Sequence, residues 1–161
     1  MSTRCQVIVR TPKKTSLGQN PGDEIYLYRH CDGYPDSIIP SLLMAYKMSD
    51  AQEENGWQAA RPYKAAGYII AAGFSPFEAE KPHSYSCIAY EPLPYKELHC
   101  DIEYLYIVTP IEKNSEIVWD VEVRTPKKAF YDSPAEENTK RIAKNDIRKL
   151  AKNTNLVSSE V

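Results

Sequence analysis

Most short motifs that identify enzymes are missing from this sequence of 161 residues. It contains no glycine-rich phosphate loop, no Gly-x-Ser-x-Gly segment and no His-Glu-x-x-His segment. Glycine itself is scarce, with 6 residues against 12 prolines. These absences exclude the common patterns of nucleotide-binding loops, serine hydrolases and zinc proteases. An enzyme with this sequence would have to be of a less familiar type.

Long apolar runs and paired cysteines are absent as well. The longest apolar stretch, GYIIAAGF at 67–74, is far too short to cross a bilayer, and MSTRCQVIVR at 1–10 has no apolar stretch of signal-peptide length. We therefore expect a cytoplasmic protein without membrane contact. In that compartment the cysteines are expected to be reduced thiols, and none forms a Cys-x-x-Cys pair. The four cysteines are Cys5, Cys31, Cys87 and Cys100.

The overall composition is that of an ordinary globular protein. Hydrophobic residues make up 42% of the chain and charged residues 26%, which argues against wholesale disorder. The length is most simply explained by one domain over 1–153, followed by a flexible polar tail over 154–161. The formal net charge of −2 indicates no general nucleic-acid binder. Residues 124–152, however, hold nine Lys or Arg against four Asp or Glu, so the charge is unevenly distributed.

The hydrophobic periodicity predicts five strands and three helices. Alternating residues predict strands, and apolar residues at helical spacing, with proline near the start, predict helices. The predicted strands are 4–10, 24–30, 84–91, 100–108 and 115–123, and the predicted helices are 36–55, 62–73 and 133–153. The order ββααβββα favours an α+β fold, with helices on one face of a mainly antiparallel five-stranded sheet.

The segment YRHCDGYPD at 28–36 allows two interpretations. In the first it is a structural corner, because Asp32-Gly33 is a turn pair and Pro35 holds Tyr34 in an extended conformation before a helix. In the second, His30 and Asp32 share a strand face and form an oriented pair for acid–base catalysis or metal binding. The sequence favours the structural corner.

The same segment carries a family resemblance. With its MSTR start, two paired strands and the pattern His-x-Asp-Gly-Tyr-Pro, the chain resembles a group of small, largely uncharacterised proteins common in phage and prophage gene sets. The resemblance covers the first quarter to third of the chain. It puts Cys31 in the variable slot of the pattern, which counts against an obligatory nucleophile there. It implies no activity.

Metal sites are not predicted, although their residue types are present. Each histidine has a cysteine nearby, but the spacings match no zinc pattern, and buried thiols are the better interpretation. The carboxylates Asp120 and Glu122 lie two residues apart before Arg124, as in some magnesium-dependent nucleases. A solvated strand face explains them more simply. No cofactor is predicted.

An internal repeat suggests an anion-binding surface. VIVRTPKK at 7–14 and VEVRTPKK at 121–128 agree at seven of eight positions. If the two strands lie parallel and adjacent, their basic ends meet, whereas an antiparallel arrangement sends them to opposite ends of the sheet. The predicted last helix would add further cations on one side. The candidate residues are Arg10, Lys13, Lys14, Arg124, Lys127, Lys128, Lys144 and Arg148.

Tyrosine is abundant, with 12 residues. The pairs Tyr26 and Tyr28, and Tyr104 and Tyr106, each line one strand face, as in surfaces that stack single-stranded nucleic acid. Core packing or a dimer surface is the better explanation, because Ile102 and Val108 share the face of Tyr104 and Tyr106.

The sequence as a whole therefore favours a small cytoplasmic binding module of phage or mobile-element origin, without catalysis. A protein partner, nucleic acid and a second copy of the chain are the expected alternatives for what it binds. The alternative function is a hydrolase or metal-dependent enzyme with a site around His30 and Asp32.

Overall fold

The computed structural model describes residues 3–12, 22–51, 61–73 and 89–152. Six strands lie in this part of the chain: β1 (Cys5–Arg10), β2 (Glu24–Arg29), β3 (Glu91–Pro92), β4 (Tyr104–Lys113), β5 (Glu116–Pro126) and β6 (Thr139–Asp146). The helices are α1 (Pro35–Ala51), α2 (Pro62–Ala72) and the single turn α3 (Ile147–Leu150). None of these helices has the length and apolar character needed to cross a membrane.

The strands form one sheet in the order β3-β2-β1-β4-β5-β6. All neighbours pair antiparallel except β1 and β4, which run parallel with Val7 opposite Tyr106. The α+β class is confirmed, but the sheet is mixed and has six strands in the described residues rather than five. The parallel pair arises because the chain forms α1 and α2, adds β3 beside β2, and then crosses the sheet to the far side of β1, with Leu98 and Ile102 of the crossing segment packed against Ile8 and Leu105. Parallel neighbours require such a crossover.

The face of the sheet toward α1 and α2 holds the main hydrophobic core. Val7 and Val9 on β1 point to this face, and Leu42 from α1 and Ile69 from α2 pack in the same cluster. We call this the helix-covered face. Helices on one face is the arrangement that the periodicity predicts.

The other face is covered by connecting segments. Phe130 is fully buried there against Ile8 of β1 and Leu105 of β4, together with Leu98. Phe130 lies in a short 3₁₀ helix, Lys128–Tyr131. We call this the opposite face. Residues before β4 and after β5 therefore fold back across strands that would otherwise expose apolar side chains.

The predicted helix over 133–153 is wrong. The segment forms β6, paired antiparallel with β5, and only Ile147–Leu150 is α-helical, with a 3₁₀ turn at Glu136–Asn138 before the strand. Lysine and arginine at four-residue intervals suggested a solvated helix face. Pairing with the long, amphipathic β5 overrides that weak local preference. The basic residues fit a strand here because β6 lies at the sheet edge, where most of its side chains are exposed.

The expectation of reduced cysteines is wrong for Cys31, which is disulfide-bonded. Cys5 is a buried free thiol and Cys100 an exposed one. Burial raises the pKa of the Cys5 thiol to about 12. Residues 84–88 of the predicted third strand lie outside the described residues, as do the predicted boundary at 153 and the tail over 154–161.

Candidate functional site

Gly33 lies at the turn between β2 and α1 and is held against β1. Its amide donates a hydrogen bond of 2.8 Å to the carbonyl oxygen of Thr3, and its carbonyl accepts one of 2.6 Å from the Tyr106 hydroxyl. A Cβ atom added here would lie 2.8 Å from the Cβ of Cys5. Asp32 precedes it with a φ of 54°, in the left-handed region that Asp tolerates. The Asp-Gly turn therefore has a structural role.

Tyr34 and Pro35 complete the corner. The carbonyl oxygen of Tyr34 accepts hydrogen bonds of 2.9 Å from the amides of Ser37 and Ile38, so the first turn of α1 closes on it. Pro35 is the first residue of α1, where a missing N–H costs nothing. This half of the segment serves helix entry.

His30 and Asp32 are both exposed. Within the described parts of the chain, no hydrogen bond or ion pair joins them. The His30 ring turns back along its own strand instead, with Nδ1 3.3 Å from the Tyr28 hydroxyl. The structure therefore separates the two residues that the catalytic interpretation pairs, because Asp32 has already entered the turn.

His30 instead belongs to a group of four rings on the opposite face, which we call the ring cluster: Tyr28, His30, Tyr95 and His99. Tyr28 stacks on His99, with ring centroids 4.5 Å apart and planes inclined by 29°. The Tyr95 hydroxyl lies 3.3 Å from Nε2 of His99. Two imidazoles thus flank one tyrosine at the surface, which suits stacking on a flat ligand or proton transfer.

Gln6 positions the ring cluster from inside the sheet. Its fully buried amide accepts a hydrogen bond of 2.7 Å from the backbone N–H of His99 and donates one of 3.0 Å to the carbonyl oxygen of Glu97. These two hydrogen bonds to one loop fix the position of His99. Sequence reasoning missed the contact between Tyr28 and His99 because 71 residues separate them, and only the tyrosine pair on β2 signalled an exposed aromatic surface.

Charged groups surround the cluster on one side. Arg4 Nε lies 3.1 Å from Asp101 Oδ2 at the start of the sheet. Burial raises the pKa of Tyr28, and the Asp101 carboxylate acts in the same direction. A cleft of about 350 Å³ opens beside the cluster, lined by Tyr26, Lys96, Glu97, Leu98 and residues 134–137. In the described residues, no three His, Cys, Asp or Glu side chains are arranged to hold a metal ion.

The two Arg-Thr-Pro segments of the repeat run away from each other, although their arginines, Arg10 and Arg124, both lower the pKa of Glu136. β1 runs parallel to β4 and β4 antiparallel to β5, so the segments leave the sheet at opposite ends. Arg10 Nη2 contacts Glu24 at 2.7 Å and Glu136 at 2.6 Å, and the hydrogen bond from Arg10 lowers the pKa of Glu136. Lys13 and Lys14 lie outside the described residues.

The other predicted cations are also largely engaged within the chain. Arg124 pairs with Glu122 and donates hydrogen bonds to Oγ1 and the carbonyl oxygen of Thr139. Lys127 Nζ donates a hydrogen bond of 3.3 Å to the carbonyl oxygen of Glu137, and Lys128 is exposed.

Arg148 and Lys144 have carboxylate partners as well. Arg148 binds Asp146 at 2.6 Å and Glu116 at 3.2 Å, and Lys144 lies 3.7 Å from Asp120. Carboxylates of this chain therefore pair with four of the eight cations that the sequence assigns to an anion site.

The exposed cations of β6 differ from these. Lys140 and Arg141 are exposed, and in the part of the chain that the structure describes neither has a carboxylate within ion-pair distance. β6 is an edge strand, paired with β5 on one side. The predicted helix includes Lys140 but puts Arg141 on a different side, because consecutive residues lie about 100° apart around a helix. On β6 both residues lie at the same edge of the sheet.

Comparison with known proteins adds no assignment to these sites. No protein-family model, curated protein or solved structure matches the chain. The resemblance to phage proteins therefore stays a prediction.

Proposed function

We propose that this protein is a small binding module, without catalysis of its own, which holds an acidic protein partner on the exposed edge of β6. In this proposal it derives from a phage or mobile element, as the corner motif suggests, and acts in the cytoplasm, although the disulfide of Cys31 is uncommon there. The observation that carries the proposal is the exposed, ion-pair-free state of Lys140 and Arg141 on a strand at the sheet edge.

The charge distribution favours a protein partner over nucleic acid. Nucleic-acid binding draws its affinity from many cations that are free to replace counterions along the phosphates. Arg10, Arg124 and Arg148 already bind carboxylates of this chain. A few free cations beside an open strand edge suit a short acidic polypeptide better, because the edge also offers main-chain donors and acceptors.

Poly-L-glutamate and a single-stranded oligonucleotide of equal charge test the proposal in a salt titration. We expect the polypeptide to bind more tightly at low salt, and Lys140→Glu/Arg141→Glu to weaken it about tenfold or more through like-charge repulsion. Lys47→Glu/Lys113→Glu is the matched control, since both residues are exposed, Lys47 lies on α1, and Lys113 lies at the end of β4 beyond the part of β5 that pairs with β6. No binding at low salt, or equal loss in the control, would overturn the proposal. Tighter binding of the oligonucleotide would assign nucleic acid instead.

The ring cluster supports a second candidate, a hydrolase that uses His30. The sequence interpretation pairs His30 with Asp32, and the structure adds His99 on the other side of Tyr28, next to a cleft. One histidine accepting a proton while the other donates one is a common acid–base scheme. His30→Gln and His99→Gln should then each abolish hydrolysis of ester and phosphodiester substrates, while Asp36→Asn, on the exposed start of α1, should not. Activity that survives both histidine changes would reject this candidate.

A further inference from the structure

The two edges of the sheet are unequal. β3 forms one edge with two residues, and the second is Pro92, which has no N–H to donate. β6 forms the other edge with eight residues, about 26 Å at the usual rise per residue. Every second main-chain N–H and C=O of an edge strand points away from the sheet. β6 is thus the long template for strand pairing in the described part of the chain.

The outer side of β6 is accessible. Lys140, Arg141 and Ile142 are consecutive exposed residues, and 39% of the Ile142 surface is exposed. The pairing with β5 shifts register between Val123 and Arg124, which leaves Ile142 as the extra residue. An apolar side chain and two cations therefore lie side by side on the same edge.

The charges of β6 select what can pair there. A second copy of the chain would place the same cations against each other, and like charges opposite one another destabilise a strand pair. Lysines on edge strands commonly prevent self-pairing for this reason. An acidic strand meets the opposite situation. Carboxylates at alternate positions would lie across from Arg141 and Lys144, which share the face of Arg124 and Glu122, while Lys140 lies on the other face of the strand. The exposed Lys149 and Lys152 follow directly and extend the cationic surface.

From this we propose that the partner contributes an extended acidic segment, which adds to β6 as a seventh strand. This inference rests on the proposed function and specifies its binding mode. Main-chain hydrogen bonds to β6 provide the common part of the affinity, and alternate acidic side chains provide the selection. An apolar residue of the segment covers Ile142.

The probe is the acetylated, amidated peptide Glu-Thr-Glu-Val-Glu-Thr-Glu-Val, compared with the same peptide N-methylated at alternate residues. The two carry equal charge, but methylation removes main-chain donors from one edge. We expect methylation to weaken binding about tenfold or more, because several hydrogen bonds are lost together. We also expect the unmodified peptide to slow amide hydrogen exchange in β6 and not in β3.

The outcomes separate the binding mode from the proposed function. If both peptides bind equally and depend on Lys140 and Arg141, strand addition is wrong and a purely electrostatic contact remains. If neither peptide nor poly-L-glutamate binds, the proposed function itself fails. Slower exchange throughout the protein without a specific effect in β6 would also overturn strand addition.

Discussion

The hydroxyl of Tyr106 donates a hydrogen bond of 2.6 Å to the carbonyl oxygen of Gly33, linking the centre of the sheet to the corner that precedes α1. Tyr106 is fully buried on β4, which pairs with β1, the strand against which Gly33 rests. The corner is therefore held by the core rather than by its own turn alone.

Gly33→Ala should destabilise the protein by about 1–3 kcal/mol, the usual cost of overpacking. The added methyl group would lie 2.8 Å from both the Cβ of Cys5 and the carbonyl oxygen of Thr3. Urea denaturation measures the change. Gly67→Ala is the control, because a Cβ there meets nothing within 4 Å and alanine favours a helix. Equal or greater stability of Gly33→Ala would contradict the close contact.

Tyr106→Phe should lower the free energy of unfolding by about 1–3 kcal/mol, since it leaves the buried carbonyl of Gly33 without its side-chain donor. Tyr131→Phe provides the control, because 71% of Tyr131 is exposed. Guanidinium denaturation of the two variants measures the difference. A loss no larger than that of Tyr131→Phe would show that the hydrogen bond contributes nothing.

The cysteines should react with iodoacetamide in a fixed order. Cys100 is exposed and should be labelled in the native protein, whereas Cys5, whose pKa burial raises to about 12, should react only after unfolding. Cys31 should be labelled only after reduction, because it is disulfide-bonded. Peptide mapping by mass spectrometry distinguishes the three. Labelling of Cys31 without reductant would be inconsistent with that bond.

Stability should fall in acid as Glu136 and Asp146 become protonated. Hydrogen bonds from Arg10 and Arg148 lower the pKa values of these carboxyls from their usual 4.5 and 3.8. A carboxyl with a lowered pKa in the folded state binds fewer protons than in the unfolded chain, so its contribution is complete above the usual value and is lost below it. Glu136→Gln should therefore flatten the pH dependence of thermal unfolding below 4.5. An unchanged acid slope would exclude this contribution from Glu136.

Asp146 has a second role that a separate variant tests. Its Oδ1 accepts a hydrogen bond of 2.8 Å from the amide of Arg148 and so caps α3. Both Asp146→Ala and Asp146→Asn lose the ion pair with Arg148, but Asp146→Asn keeps the cap. Asp146→Ala should therefore be less stable than Asp146→Asn by about 1 kcal/mol, the usual worth of a cap. Thermal unfolding at neutral pH compares the two. Equal melting temperatures would mean that the cap does not contribute.

Local patterns predicted β1, β2, α1 and α2 well, and the basic C-terminal segment poorly. The first four carry clear alternation or helical spacing, with Pro35 and Pro62 at the helix starts. β6 has only Ile142 and Ala143 as apolar residues, so its sequence holds no strand period. Its strand conformation depends on pairing with β5, and nothing in the residues of β6 themselves indicates that pairing.

The corner at 28–36 shows the same division between local and distant information. Asp32-Gly33 and Tyr34-Pro35 specify a turn and a helix start through their own backbone preferences, whatever surrounds them. The neighbours of His30 were decided by the folded sheet, which brings His99 to Tyr28 across 71 positions. Backbone preference acts within a few residues, whereas side-chain contacts across a sheet depend on which strands pair. The segment between β3 and β4 crosses the opposite face so that β4 can pair parallel with β1, and this crossing places His99 beside Tyr28.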